Sequence, residues 1–176
     1  MRNCLTVDVE EWFHICDVGG PLDREHWDSL PSRVVENTRQ LLGLLDRHRV
    51  RGTFFVLGWV AERYPRLVEE IASAGHEIGS HGQFHNPVYE LTPESFADEV
   101  DLSVAALKAA GVASVRGFRA PQWSINDRSM WALEVLSRKG FRFDSSLTPL
   151  RIIGNPDYPW VPHTRSTAGA ARLRTL

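Results

Sequence analysis

The chain has 176 residues, of which 43% are apolar and 24% are charged, values typical of one globular domain. Its formal net charge of −2 gives no global field that would attract nucleic acid or an anionic membrane, and nothing indicates a nucleic-acid partner. The two cysteines are too few for a disulfide framework. No apolar run could form a transmembrane segment, and the first residues lack the features of a secretory signal. We therefore expect a cytoplasmic location.

Strands and helices are predicted to alternate along the chain. Short apolar runs rich in β-branched or aromatic residues indicate strands over residues 3–9, 52–58, 76–79, 114–118 and 141–143. Apolar residues at helical spacing predict four helices: from Ser32 to about His48, from Val60 to Gly75, from Thr92 to Gly111, and from Asn126 to Gly140. This alternation implies parallel strands joined by right-handed crossovers.

Two stretches depart from the alternation. Residues 13–31 contain Gly19, Gly20 and Pro21 and indicate a long loop, which in a compact domain is usually functional or disordered. Residues 151–176 are predicted to be irregular, either as a separate segment or as the start of a truncated continuation of the 1–150 domain. About five strands cannot close a barrel, so we expect an open barrel or a fragment of one.

Two histidines four residues apart follow the predicted third strand. His81 and His85 can turn both rings toward one point, on successive helical turns or in a tight loop. Each ring could then give a nitrogen to a single divalent ion. Gly79 and Gly82 allow a close approach of the backbone. The pattern favours a metal site over an ordinary structural role for the two histidines.

Three carboxylates lie at the end of the first predicted strand: Asp8, Glu10 and Glu11. Because Asp8 and Glu10 are two residues apart, they point to the same side of an extended strand. One of them could complete a metal site while the other moves a proton. An acidic strand end is usually only solvated, so this interpretation depends on the histidines.

Polar residues also follow the two later strands. Arg119 could be a surface cation, or its guanidinium could orient a catalytic base through a bidentate contact. Asp144 could act in the site or could simply belong to a turn. In barrels and open α/β sheets the carboxyl ends of the strands meet at one mouth, so we expect these residues to lie near Asp8 and His81.

Four motifs, in this order, resemble those of the polysaccharide deacetylase family, carbohydrate esterases that share a NodB-like homology domain. They are TVDVE at residues 6–10, SHGQFH at 80–85, RGFRAP at 116–121 and FDSS at 143–146. The likeness runs from about residue 4 to 150, and it is greatest for the branch associated with bacterial exopolysaccharide loci. It implies an α/β fold, a distorted (β/α) barrel of about seven strands, of which this chain would cover about five.

The resemblance implies specific roles for the first two motifs. Asp8 would be the general base, and Glu10, His81 and His85 would hold a divalent metal, usually zinc, with cobalt or nickel as alternatives. Many family members have adjacent aspartates in the first motif, whereas here the ligand role falls to Glu10. Glu11 is therefore a candidate to replace Glu10 as the third ligand.

The resemblance also implies roles for the later motifs. Arg119 would orient the base, and the loop that contains Pro121 and Trp123 would line the acetyl pocket. Asp144 would be a further residue in contact with the substrate. The family has in addition a late histidine that acts as general acid. His163 is the only histidine after residue 85, and its sequence context does not match that motif.

The sequence therefore predicts a metal-dependent hydrolase that removes N-acetyl groups from amino-sugar residues of a polysaccharide or its precursor. A water activated by the metal would attack the acetyl carbonyl, and the partner would be an N-acetylated polysaccharide or oligosaccharide. The oligomeric state is left open. A cyclic imide, ureide or small-molecule amidase on the same fold is one alternative. A truncated, inactive carbohydrate-binding remnant is another, and the unmatched late histidine favours it.

Overall fold

The structure is a computed structural model that describes residues 4–16, 22–151, 153–166 and 172–175. Its strands are β1 (Thr6–Val9), β2 (Thr53–Val56), β3 (Glu77–Ser80), β4 (Gly117–Phe118), β5 (Phe143–Asp144), β6 (His163–Ser166) and β7 (Arg172–Thr175). All seven belong to one sheet in the order β1-β2-β3-β4-β5-β7-β6. The sheet is open, as predicted, with β1 and β6 as its edge strands.

The strands that carry the predicted motifs run parallel. β1 pairs with β2, β2 with β3, β3 with β4, and β4 with β5, all in parallel register. Parallel strands end at the same edge of a sheet, so the loops that follow β1, β3, β4 and β5 converge there. The predicted alternation of strand and helix is thus confirmed as an α/β fold.

In the described residues, five α-helices and three short 3-10 helices connect or flank the strands. The α-helices are α1 (Val34–Arg47), α2 (Gly58–Arg63), α3 (Pro65–Ser73), α4 (Pro93–Ala109) and α5 (Trp131–Arg138). The 3-10 helices are Arg24–Ser29, Val88–Glu90 and Pro121–Trp123. α4 begins as predicted, because the Thr92 side chain accepts from the Ser95 backbone and the Ser95 side chain accepts in return, which forms a capping box.

The core lies between the helices and the sheet. Phe54 and Val56 of β2 are fully buried among apolar side chains of α2, α3 and α4. A second cluster packs Phe118 of β4 against α4 and α5. The sheet is therefore supported along its length, which gives the loops at its carboxyl edge a rigid base.

The helix predicted from Val60 to Gly75 is two helices. Tyr64 lies between α2 and α3 with φ −129° and ψ 57°, outside the helical region, and Pro65 begins α3. Proline has no N–H group and its ring clashes with the preceding turn, so it kinks or breaks a helix, whereas it is well tolerated in the first turn. The apolar spacing continues across the break, which is why periodicity alone predicts a single helix.

The prediction that residues 151–176 are irregular is wrong for β6 and β7. The backbone N–H of Arg174 donates to the carbonyl of Arg142 at 3.1 Å, and Leu173 is fully buried. β7 is parallel to β5 and antiparallel to β6, so the sheet has seven described strands instead of five. The sequence of β7 alternates basic residues with Leu173 and Thr175, and only its pairing with β5 and β6 makes it a strand.

The long loop predicted at residues 13–31 contains the 3-10 helix Arg24–Ser29. Trp27 of this helix is buried, and its indole N–H donates to the Leu22 carbonyl at 2.9 Å. Gly19, Gly20 and Pro21, which suggested the loop, lie outside the described residues.

Candidate active site

Three predicted metal ligands come together at the carboxyl edge of the sheet. Glu10 follows β1, His81 follows β3, and His85 lies in the loop after it. Each residue offers one ligand atom, and the three atoms lie within 4.8 Å of one another. Two imidazoles and a carboxylate that leave further positions open form the ligand set of catalytic zinc sites.

One oxygen of Glu10 indicates that this cluster suits a cation. Oε2 is buried and makes no hydrogen bond to the described residues, although it lies 2.8 Å from Nε2 of His85. The short distance without hydrogen-bond geometry leaves the oxygen unsatisfied, which is costly in a buried position. A divalent ion between the carboxylate and the two rings would satisfy it, so these residues fit a metal.

The ring of His81 is held in the tautomer that a metal requires. Its Nδ1 lies 2.8 Å from the carbonyl oxygen of Arg119, and a carbonyl can only accept, so Nδ1 carries the proton. Nε2 is then free to bind a cation. Burial lowers the pKa of His81, and the charge of the nearby Asp8 opposes that shift. A neutral ring with a free Nε2 is the form that binds metal.

The predicted base is paired with the predicted arginine. Nη1 of Arg119 donates to Oδ1 of Asp8 at 2.9 Å, and the two residues are 111 positions apart in the chain. The expectation of a bidentate contact is wrong, because Arg119 uses its other donors elsewhere. Nη2 donates to Thr6 Oγ1 and Ser145 Oγ, both at 2.8 Å, and Nε donates to the Ser145 carbonyl at 3.1 Å. The guanidinium is therefore immobilised, and it orients Asp8 through a single nitrogen.

The loop after β4 presents the two residues predicted to contact the acetyl group. Pro121 is buried. It lies beside the histidine loop, because a Cβ added at Gly82 would be 3.8 Å from its Cγ. Trp123 is 40% exposed. Gln122 and Trp123 both have positive φ, 52° and 50°, which is uncommon for residues other than glycine. Strain of this kind clusters at functional sites. Substrate contact by Pro121 and Trp123 stays a prediction.

Asp144 is hydrogen-bonded to Ser146, two residues further along the chain. It is fully buried, and its carboxylate accepts from the Ser146 hydroxyl at 2.6 Å and from the Ser146 backbone N–H at 3.0 Å. The Ser146 hydroxyl oxygen in turn accepts from the Ala120 backbone N–H at 2.8 Å. Burial raises the pKa of Asp144 to about 6. These contacts brace the backbone next to Arg119, and contact of Asp144 with the substrate stays a prediction.

Glu11, the alternative third ligand, is occupied elsewhere. It is buried, one carboxylate oxygen accepts from the Ser32 hydroxyl, and the other accepts from the Arg33 backbone N–H at 2.9 Å. An acid at a helix N-terminus satisfies unpaired N–H groups and interacts favourably with the helix dipole. Ser32, at the predicted start of α1, donates to Glu11. Glu10 is therefore the acid that accompanies the histidines.

Two residues near the site carried no recognisable sequence motif. His14 is buried, and its ring packs 4.2 Å from Trp27 and 5.1 Å from Trp59, measured between ring centroids. Its Nδ1 accepts from the Glu11 backbone N–H at 3.0 Å. Burial, followed by the charges of His85 and His81, lowers the pKa of His14 to about 3. The second is Cys16, whose Sγ contacts the ring of His85.

The buried His14 predicts a pH-dependent stability. Its folded pKa of about 3 lies below the unfolded value of 6.5, so between these values the unfolded chain binds the extra proton. Stability contributed by neutral His14 is therefore lost as the pH falls from about 7 toward 3, by at most about 1.4 kcal/mol per pH unit. Denaturant unfolding of the wild type and of His14→Phe from pH 7 to pH 4 should show a shallower decline in the variant. Equal slopes would contradict the lowered pKa of His14. Asp144 is present in both proteins, so its raised pKa contributes equally to both slopes.

His163 is the late histidine whose context did not match a family motif. The structure places it at the start of β6, and its ring lies within 3.0 Å of the Thr175 hydroxyl. In the described part of the chain, His163 is not one of the three residues of the candidate metal site.

A model of the polysaccharide deacetylase family matches residues 26–143. Chitin deacetylase 1 from Saccharomyces cerevisiae is 30% identical over 157 residues, which cover 89% of this chain and 48% of that protein. A chitooligosaccharide deacetylase from Bradyrhizobium is 31% identical over 101 residues, or 57% of this chain and 43% of that protein. The chain thus spans less than half the length of these two curated relatives.

The fold has a counterpart among solved structures. A candidate polysaccharide deacetylase from Mycobacterium smegmatis superposes with a TM-score of 0.76 and 28% identity, over 98% of this chain and 57% of that chain. None of the helices in the described residues is both long and apolar enough to cross a bilayer. The family model covers more than half of the chain and includes the histidine motif and Arg119, so this protein belongs to the polysaccharide deacetylase family.

Proposed function

We propose that this protein is a metal-dependent hydrolase that removes N-acetyl groups from amino-sugar residues of a polysaccharide or its precursor. The proposal rests on one observation above all. Asp8, held by Arg119, lies at the same sheet edge as Glu10, His81 and His85, whose ligand atoms converge within 4.8 Å. A fixed carboxylate next to a group of metal-ligating side chains is the arrangement that metal-assisted amide hydrolysis requires.

The chain's own residues supply the proton transfer and its geometry. Asp8 takes a proton from the water that attacks the acetyl carbonyl, and Arg119 keeps the carboxylate aimed at that water. The contacts of Arg119 to Thr6 and Ser145 prevent the guanidinium from following Asp8 if the carboxylate turns. A metal bound by Glu10, His81 and His85 would act as a Lewis acid that polarises the carbonyl and lowers the pKa of water.

We infer that the metal is zinc. Cobalt and nickel are alternatives, because two imidazoles and one carboxylate suit all three ions. The substrate side of the proposal comes from the relatives, whose names refer to chitin and chitooligosaccharides. Pro121 and Trp123 would line the acetyl pocket. Membership of the exopolysaccharide branch and a cytoplasmic location stay predictions.

The direct test is acetate release from chitin oligomers by the purified, zinc-supplied protein. We expect acetate to form in proportion to new free amines, and we expect no opening of a cyclic imide assayed in parallel. Hydrolysis of the cyclic imide without acetate release would replace the deacetylase proposal with a cyclic amidase. Binding of the oligomer without acetate release, at full metal occupancy, would instead indicate a non-catalytic carbohydrate-binding protein.

A further inference from the structure

A cysteine thiol contacts a metal ligand at two points. Cys16 lies in the loop after β1, and its Sγ is 3.3 Å from Nδ1 of His85 and 3.2 Å from the backbone carbonyl oxygen of the same residue. Cys16 and His85 are 69 positions apart, so this contact exists only in the folded chain. Both residues also line a cavity of about 420 Å³ beside the cluster.

The two contacts fit the chemistry of a neutral thiol. The S–H group can donate only one hydrogen bond, and the His85 carbonyl oxygen can only accept, so the thiol proton goes to the carbonyl. The sulfur is then left as a weak acceptor, and it faces Nδ1. A ring whose Nδ1–H donates to sulfur has an unprotonated Nε2, and Nε2 is the nitrogen that lies 2.8 Å from Glu10.

The hydrogen bond from Cys16 to the His85 carbonyl also bears on the backbone conformation of His85. Its φ is 59°, in the left-handed region that residues other than glycine seldom adopt. A conformation of this kind persists when surrounding contacts hold it. The thiol bonded to the His85 carbonyl is one such contact, and the same thiol faces the ring. Cys16 thus restrains both the backbone and the side chain of one metal ligand.

We propose that Cys16 is a positioning residue for the metal centre, which holds His85 in the ring orientation and tautomer that presents Nε2 to the metal. The inference rests on the proposed metal site and goes beyond the ligand set. It also separates the two histidines. His81 is fixed by a backbone carbonyl that no substitution removes, whereas His85 is fixed by a side chain that a substitution can remove.

The test is zinc affinity, measured by competition with a chelator. Cys16→Ala removes the donor and the acceptor together, and loss of such an outer-shell partner typically weakens metal binding about 10- to 100-fold. Cys16→Ser retains both hydrogen-bonding functions, so we expect its zinc Kd to stay close to that of the wild type. Cys4→Ala is the matched control, because Cys4 is the other cysteine and is exposed. It should leave the Kd unchanged.

The outcomes separate this inference from the proposed function. A wild type that binds no zinc would overturn the metal site itself. A wild type that binds zinc, with an equal Kd for folded Cys16→Ala, would overturn only the role of Cys16. Circular dichroism shows whether each variant is folded. If Cys16→Ala is not, Cys16→Val fills the space without hydrogen bonding, and a zinc Kd equal to that of Cys16→Ser would contradict the proposal.

Discussion

Replacement of Asp8 with asparagine is expected to lower the rate of acetate release by about 10²- to 10⁴-fold, the usual contribution of a general base. Metal content should not change. Asparagine has nearly the same shape as aspartate, and its Oδ1 can still accept from Nη1 of Arg119, which now donates to Asp8 at 2.9 Å. The amide cannot take a proton from water, so only the chemical step is affected. Initial rates of acetate release at saturating oligomer, with metal analysis of the same samples, test this expectation.

Asp46→Asn is the matched control for this variant. Asp46 lies on α1 with a side chain that is 81% exposed, and its contact with Arg51 is long, at 4.0 Å. The same chemical change there should leave the rate within the error of the assay. Full activity in metal-loaded Asp8→Asn would show that another group removes the proton and that the mechanism proposed for Asp8 is wrong.

The second large effect is expected in metal content. Purified wild type supplied with zinc should hold about one equivalent per chain, and the double variant His81→Ala with His85→Ala should hold almost none. The substitutions remove two of the three ligand atoms that lie within 4.8 Å of one another and leave only Glu10. Elemental analysis after removal of loosely bound metal measures the difference.

A control for this variant uses histidines outside the site. His26 and His48 are exposed, so the double change His26→Ala with His48→Ala should retain the metal of the wild type. Because His81 is buried, circular dichroism should first show that the site variant is folded. A folded site variant that still carries one equivalent would place the metal elsewhere, and the proposed ligand set would then be wrong.

The sequence predicted the general position of the site because its signals are local. His81 and His85 lie four residues apart after one strand, and Asp8 and Glu10 lie two apart at the end of another. The rule that parallel strands end at one edge places both pairs together without knowledge of any contact. The structure does bring Glu10, His81 and His85 together. Metal binding itself stays a prediction until it is measured.

The sequence was less informative where an element depends on its neighbours. β4 and β5 have two residues each, too short for any periodicity to show their bounds. β7 is recognisable as a strand only through its pairing with β5 and β6. Asp144 lies near the carboxyl end of its strand, as Asp8 does, yet its carboxylate accepts from the hydroxyl and the backbone N–H of Ser146.

By itself, the sequence determined the alternation of strands and helices and the edge of the sheet at which the polar motifs gather, because both follow from patterns that repeat within a few residues. Only the tertiary structure decided which polar groups pair. Glu11 contacts Ser32 over a separation of 21 residues, Cys16 contacts His85 over 69, and Arg119 contacts Asp8 over 111. Pairings of this kind depend on burial and on which donors are already occupied, and these conditions do not exist before the sheet and its loops have formed.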